Sequence, residues 1–138
     1  MAIALDFDGV LNTYTKYLGD DELFEPAKGV ERFLNKLQEL KQPIIIHTAR
    51  RSDKVQAWLD KHELSQYIHT VTNQKVPAIV YVDDRGLQFQ GDFKQTLKEI
   101  AEFKVWYKPG CPFEDWKNDE TIYGTLEQRG ILNGSKRS

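Results

Sequence analysis

The stretch that most limits the fold is Ala2-Ile3-Ala4-Leu5-Asp6-Phe7-Asp8-Gly9-Val10, a short apolar run that opens into two acids and a glycine. Such a run, with no polar residue alternating through it, reads as a strand buried in a sheet. The acids then fall where the strand leaves the sheet. Two carboxylates two residues apart resist joint ionisation, so they call for a cation or a proton between them. Gly9 permits the tight exit that brings backbone close to a ligand.

Taken in order, the chain repeats this arrangement. Leu11 to Glu25 is polar and aromatic and reads as a loop or small hairpin, too short to enclose a core. Pro26 suits a helix start, and Val30, Phe33, Leu34, Leu37 and Leu40 then recur at helical spacing. Ile44-Ile45-Ile46-His47 reads as a second buried strand. Ser52 or Asp53 is suited to cap a second helix, with Val55, Ala57, Trp58 and Leu59 inward. Tyr67 to Val71 is expected as a short strand, and Ala78-Ile79-Val80-Tyr81-Val82 as a further buried one that ends in Asp83-Asp84-Arg85-Gly86. Leu87 to Gln90 reads as an edge strand, Phe93 to Phe103 as a third helix with Phe93, Leu97 and Ile100 inward, and Glu120 to Arg129 as a short helix. Strands alternating with helices predict an α/β fold, a Rossmann-like three-layer sandwich with a mainly parallel central sheet and no large cap domain. The expected division is a core over 1–107 and a C-terminal extension over 108–138.

At 138 residues the chain supports one core. A formal charge of -2 gives no electrostatic argument for non-specific nucleic-acid binding, though a metal at the site would still admit a nucleic-acid end. The one cysteine, Cys111, has no partner for an intramolecular disulfide, which points to a reducing compartment. With no leader pattern and no long apolar span, the expected location is the cytoplasm, away from membranes.

In an open parallel sheet, ligands bind beyond the carboxyl ends of the strands. The polar residues after three of the expected strands are Asp6 and Asp8, Thr48 and Arg50, and Asp83 and Asp84, with Lys75 in the connection before the last strand. A hard cation such as Mg2+ takes oxygen ligands, often carboxylates together with a substrate phosphate. Phosphoryl transfer needs positioning and charge neutralisation above all, which a hydroxyl and an ammonium also supply. Bland readings stand beside these. Thr48 also suits a helix cap, Asp83-Asp84-Arg85-Gly86 an acidic turn, and Arg50 and Arg51 an exposed helix start. His47, His62 and His69 lack paired metal spacing, and the aromatics from Trp106 to Trp116 suit a satellite core.

These residues resemble a known family. Asp6-Phe7-Asp8-Gly9-Val10 is similar to motif I of the haloacid dehalogenase-like superfamily, Thr48 after Ile44-Ile45-Ile46-His47 to motif II, Lys75 to motif III, and Asp83-Asp84 after Ala78 to Val82 to motif IV. The four stand in the family's order over residues 2 to 92, and the Lys75-Val76-Pro77-Ala78 approach resembles small uncharacterised phage and bacterial members. The resemblance implies a Mg2+-dependent phosphomonoester hydrolase with an aspartyl-phosphate intermediate. It implies Asp6 as nucleophile, Asp8 as the acid that becomes a base, and Thr48 and Lys75 as holders of the phosphoryl group. Gly9, Ala49 and Arg50 would join them in binding substrate. Asp6, Asp83 and Asp84 would hold the metal, with Asp8 contributing its carbonyl. The segments after motif I and before motif III are too short for a large cap. An open site suits a nucleic-acid terminal phosphate, a nucleotide, or a sugar phosphate covered by a neighbouring copy in a homo-oligomer. A phosphate-accepting signalling domain is the rival, although in receiver domains the acidic pair comes first.

Overall fold

A computed structural model describes residues 1–113. The chain divides into two compact units, Met1–Asp84 and Arg85–Ser138. In the first, strands β1 (Ala2–Leu5), β2 (Ile44–His47), β3 (Thr70–Thr72) and β4 (Ala78–Val82) form one sheet in the order β3-β2-β1-β4, with every pairing parallel. This is an α/β fold, as expected. Helices α1 (Val30–Leu37) and α2 (Ser52–Lys61) are the crossovers from β1 to β2 and from β2 to β3. Both crossovers step the same way, so right-handed connections bring both helices to one face. Their buried Val30, Leu34, Val55, Trp58 and Leu59 pack there with Ile3, Leu5, Ile44 and Ile46.

The strand order reverses between β1 and β4, because the chain crosses back from β3 at one edge to β4 at the other. Only residues 73–77 make that crossing. Three inter-strand spacings come to about 14 Å sideways and the parallel return along the strands adds roughly 13 Å, about 19 Å in all, close to the roughly 20 to 22 Å that the six residue steps from Thr72 to Ala78 can span. The link therefore runs nearly straight and carries no helix. This corrects the expectation that β4 is buried. Val80 and Val82 are in register with Ile3 and Leu5 and so share the helix-covered face, yet they remain 47% and 37% exposed.

Other boundaries also shift. Pro26 does not start a helix; it bridges antiparallel to Asn12, and α1 begins at Val30 after Gly29, whose φ of 85° favours glycine. The α1 stripe is narrower than its spacing suggests: Phe33, within the helix, and Leu40, in the 3-10 turn after it, are both exposed. Arg51, not Ser52 or Asp53, occupies the N-cap of α2, without a side-chain cap, and Ala57 is exposed. Tyr67 closes a 3-10 turn, and only Thr70–Thr72 is strand.

In the second unit, α3 (Phe93–Ala101) is capped by Asp92, whose carboxylate accepts from the N–H groups of Lys94 and Gln95 at 2.9 and 3.2 Å. Phe93 is exposed rather than inward, and Leu87 to Gln90 is not a strand. The Cys111 thiol donates to the Ala101 carbonyl at 2.9 Å. The expected helix over Glu120 to Arg129 lies outside the described residues, as do Trp116 and the polar end. Among the described residues no helix is long and apolar enough to cross a membrane.

Candidate metal centre and its polar network

Phe7 anchors the turn after β1. Its fully buried ring meets the Trp58 ring edge-on at 4.8 Å, which fixes the backbone between the two acids. The Phe7 carbonyl accepts from the N–H groups of Val10 and Leu11 at 3.2 and 2.9 Å, and Gly9 turns the chain with a φ of 79°. Asp6 donates its N–H to the Val82 carbonyl at 2.8 Å, which ties the end of β1 to the end of β4.

Asp83 and Asp84 therefore arrive beside Asp6, and one carboxylate oxygen from each of the three lies within 4.8 Å of the others. This is the switch point of the sheet, where ligands of parallel α/β sheets gather. The Asp6 carboxyl is pushed up from 3.8 to about 8. Burial is the main cause, followed by the hydrogen bond with Asp84 and the charge of Asp83, against which the Phe7 N–H at 2.7 Å acts only in part. Three crowded carboxylates, one of them retaining its proton at neutral pH, are an all-oxygen donor set. They fit a hard divalent cation.

Asp8 stands apart from this group. One of its carboxylate oxygens accepts from Arg50 Nε at 2.7 Å and the other from Asn12 Nδ2 at 2.9 Å. Its carboxylate is thus committed to two donors, and the resemblance assigned the metal only its carbonyl. Asn12 is a member of this polar network that the sequence reading does not single out. It is buried and makes four bonds, accepting from the N–H groups of Gly9 and Tyr14 and donating to Asp8 and to the Leu23 carbonyl. The available signal was an amide four residues after Asp8, directly following the apolar Val10-Leu11.

Thr48 is buried at the end of β2, with its N–H on the Thr72 carbonyl at 2.9 Å. Its hydroxyl oxygen accepts from the Arg50 N–H at 3.1 Å, which makes it a turn former rather than a helix cap. The hydroxyl proton is left for another acceptor. Ala49 is exposed beside it. Lys75 sits in the straight link, its ammonium 5.5 Å from the centroid of the Tyr81 ring, and Tyr81 donates its hydroxyl to the Val76 carbonyl.

The segment between β1 and α1 is fastened across the site. The Asn12–Pro26 bridge closes its base, with Thr13 N–H on Glu25 at 2.9 Å and Ala27 N–H on Leu11 at 2.8 Å. From the other side it is held by Lys54 on Asp21 at 2.7 Å, by Trp58 Nε1 on the Phe24 carbonyl at 2.8 Å, and by Arg50 Nη1 on the Gly19 carbonyl at 3.2 Å. No family model, curated protein or solved structure matches the chain.

Proposed function

We propose that this chain is a Mg2+-dependent phosphomonoester hydrolase on a Rossmann-like core, acting through an aspartyl-phosphate on Asp6. The observation that carries the reading is the convergence of Asp6, Asp83 and Asp84 at the switch point of a parallel sheet. When bound among them, Mg2+ would supply the positive charge that lets Asp6 ionise and that offsets the phosphate.

The residues then divide the work. An Asp6 oxygen forms a bond to phosphorus while the bond to the ester oxygen breaks, and the leaving alcohol takes a proton from Asp8. A water that gives its proton to Asp8 next attacks the phosphorus, releasing inorganic phosphate and restoring the Asp6 carboxylate. Arg50 and Asn12 hold Asp8 in a fixed orientation throughout. The Thr48 hydroxyl proton and the backbone at Ala49 suit the phosphoryl oxygens, whereas the Gly9 N–H is held by Asn12. Lys75 joins them only by leaving the Tyr81 ring. The substrate is a nucleotide, a nucleic-acid terminal phosphate or a small phosphate ester.

Hydrolysis of an aryl phosphate by the native chain and by Asp6→Asn, each with Mg2+ and with EDTA, tests the assignment. The expected result is Mg2+-dependent turnover that falls by about a thousandfold or more in the variant. Equal rates in the two proteins would sink it.

One observation favours a second reading. Both Asp8 oxygens are already engaged, which hinders proton transfer and favours a long-lived phosphoaspartate, as in a phosphate-accepting signalling or binding domain. A stable phosphorylated chain with negligible phosphate release would select that reading.

A further inference from the structure

Arg50 is the least satisfied group in the site. Its side chain is only 6% exposed, with Nε on Asp8 and Nη1 on the Gly19 carbonyl, while the buried Nη2 has no partner among the described residues. A buried donor without an acceptor is costly, and in native proteins such groups call for an explanation. Above the guanidinium lies the Tyr17 ring, 5.5 Å from Cζ to the centroid. Tyr17 is itself 59% exposed, and its hydroxyl is held by Asp20. One side chain over the guanidinium is therefore a surface residue, removable without opening the core.

Resting on the phosphatase reading above, we propose that Arg50 Nη2 is a subsite for a second oxyanion on the substrate, reached when Tyr17 swings aside. A guanidinium presents its donors as a rigid planar fork suited to carboxylate and phosphate oxygens. Nε and Nη2 belong to one such fork. An anion on Nη2 thus lies beside the Asp8 oxygen that accepts from Nε. The class selected is a phosphomonoester whose alcohol carries a carboxylate or a second phosphate a few bonds from the ester oxygen. Simple alkyl phosphates lack the group that Arg50 would bind.

Calorimetric titration of the full chain carrying Asp6→Asn, in Mg2+, tests this with three ligands: 2-phosphoglycolate, ethylene glycol bisphosphate and ethyl phosphate. The two dianchored ligands are expected to bind about tenfold more tightly than ethyl phosphate, and the stronger of them identifies the preferred anion. Arg50→Lys in the same background retains a cation beside Asp8 but loses the fork, and is expected to shrink the preference to about threefold or less. Tyr17→Ala, at an exposed position, is expected to raise affinity for the dianchored ligands alone. Equal binding of all three ligands overturns the subsite, as does an undiminished preference in Arg50→Lys. If Arg50→Lys does not fold, unchanged or weakened binding in Tyr17→Ala overturns it. Turnover by the native chain is read separately. Hydrolysis without preference refutes the subsite alone, whereas preference in binding with no hydrolysis refutes the phosphatase reading and leaves an anion-binding site.

Discussion

The two sides of the Met1–Asp84 unit are built to different standards, although both deliver acids to one point. On the β1–β2 side, Asp8 is held by Asn12 and Arg50, the turn is anchored by Phe7 on Trp58, and the covering segment is tied down at both ends. On the β4 side, Asp83 and Asp84 follow an edge strand whose Ile79, Val80 and Val82 remain exposed. Packing and hydrogen bonds orient the first set of groups, whereas the second follows a strand that pairs with β1 and leaves much of its apolar surface exposed. The difference suggests a division between a rigid acid–base and positioning side and a cation side that is completed by its ligand.

Truncation on the packed side is expected to give the largest stability change. Trp58→Ala removes the partner of Phe7 and the donor to Phe24, and is expected to cost about 3–5 kcal/mol in urea unfolding. A cost like that of an exposed β4 residue would end the comparison. Asn12→Ala is expected to cost about 1–3 kcal/mol for the polar groups it strands, and to lower turnover with little change in KM. Steady-state kinetics together with unfolding curves would check both parts.

The contrast also has a pH signature. Because the folded state holds the Asp6 proton up to about 8 and the unfolded chain releases it near 3.8, folding binds a proton between those values. Metal-free stability from this group is full below about pH 4 and is lost as pH rises through about 8. Melting temperatures in EDTA should therefore fall with pH in the native chain relative to Asp6→Asn, and Mg2+ should flatten the difference. A parallel course of the two proteins in EDTA would show that Asp6 is not held protonated. The smallest effect is expected at β4, where Val80→Ala should cost less than about 1 kcal/mol in the same urea series.

The sequence made the parallel strands and the acids at their ends legible because short apolar runs ending in polar residues carry a strong local signal. The exposure of β4 was not legible in the same way. An apolar run reads alike at the centre or edge of a sheet, and what decides is whether the preceding link has length enough for a helix. The same link carries Lys75, whose ammonium lies 5.5 Å from the centroid of the Tyr81 ring, a contact that spacing along the chain does not encode. Asn12 and the tie between Arg50 and Asp8 join residues through the fold of the segment after β1, and spacing along the chain does not encode such contacts. Pro26 misled because proline suits a bridge at a loop's base as well as a helix start.

The straight crossing from β3 to β4 has a consequence for how the chain folds. Pairing of β4 with β1 closes nearly the whole length of the unit into a loop, so its entropic cost falls on the last strand to join. Until that strand docks, Asp83 and Asp84 are not beside Asp6, and the three-carboxylate cluster does not exist. Local release of β4 would undo the same three-carboxylate cluster. Were a divalent cation to bind among the three carboxylates, docking of the edge strand and capture of the ion would be one linked equilibrium, with the ion as the clasp of the sheet.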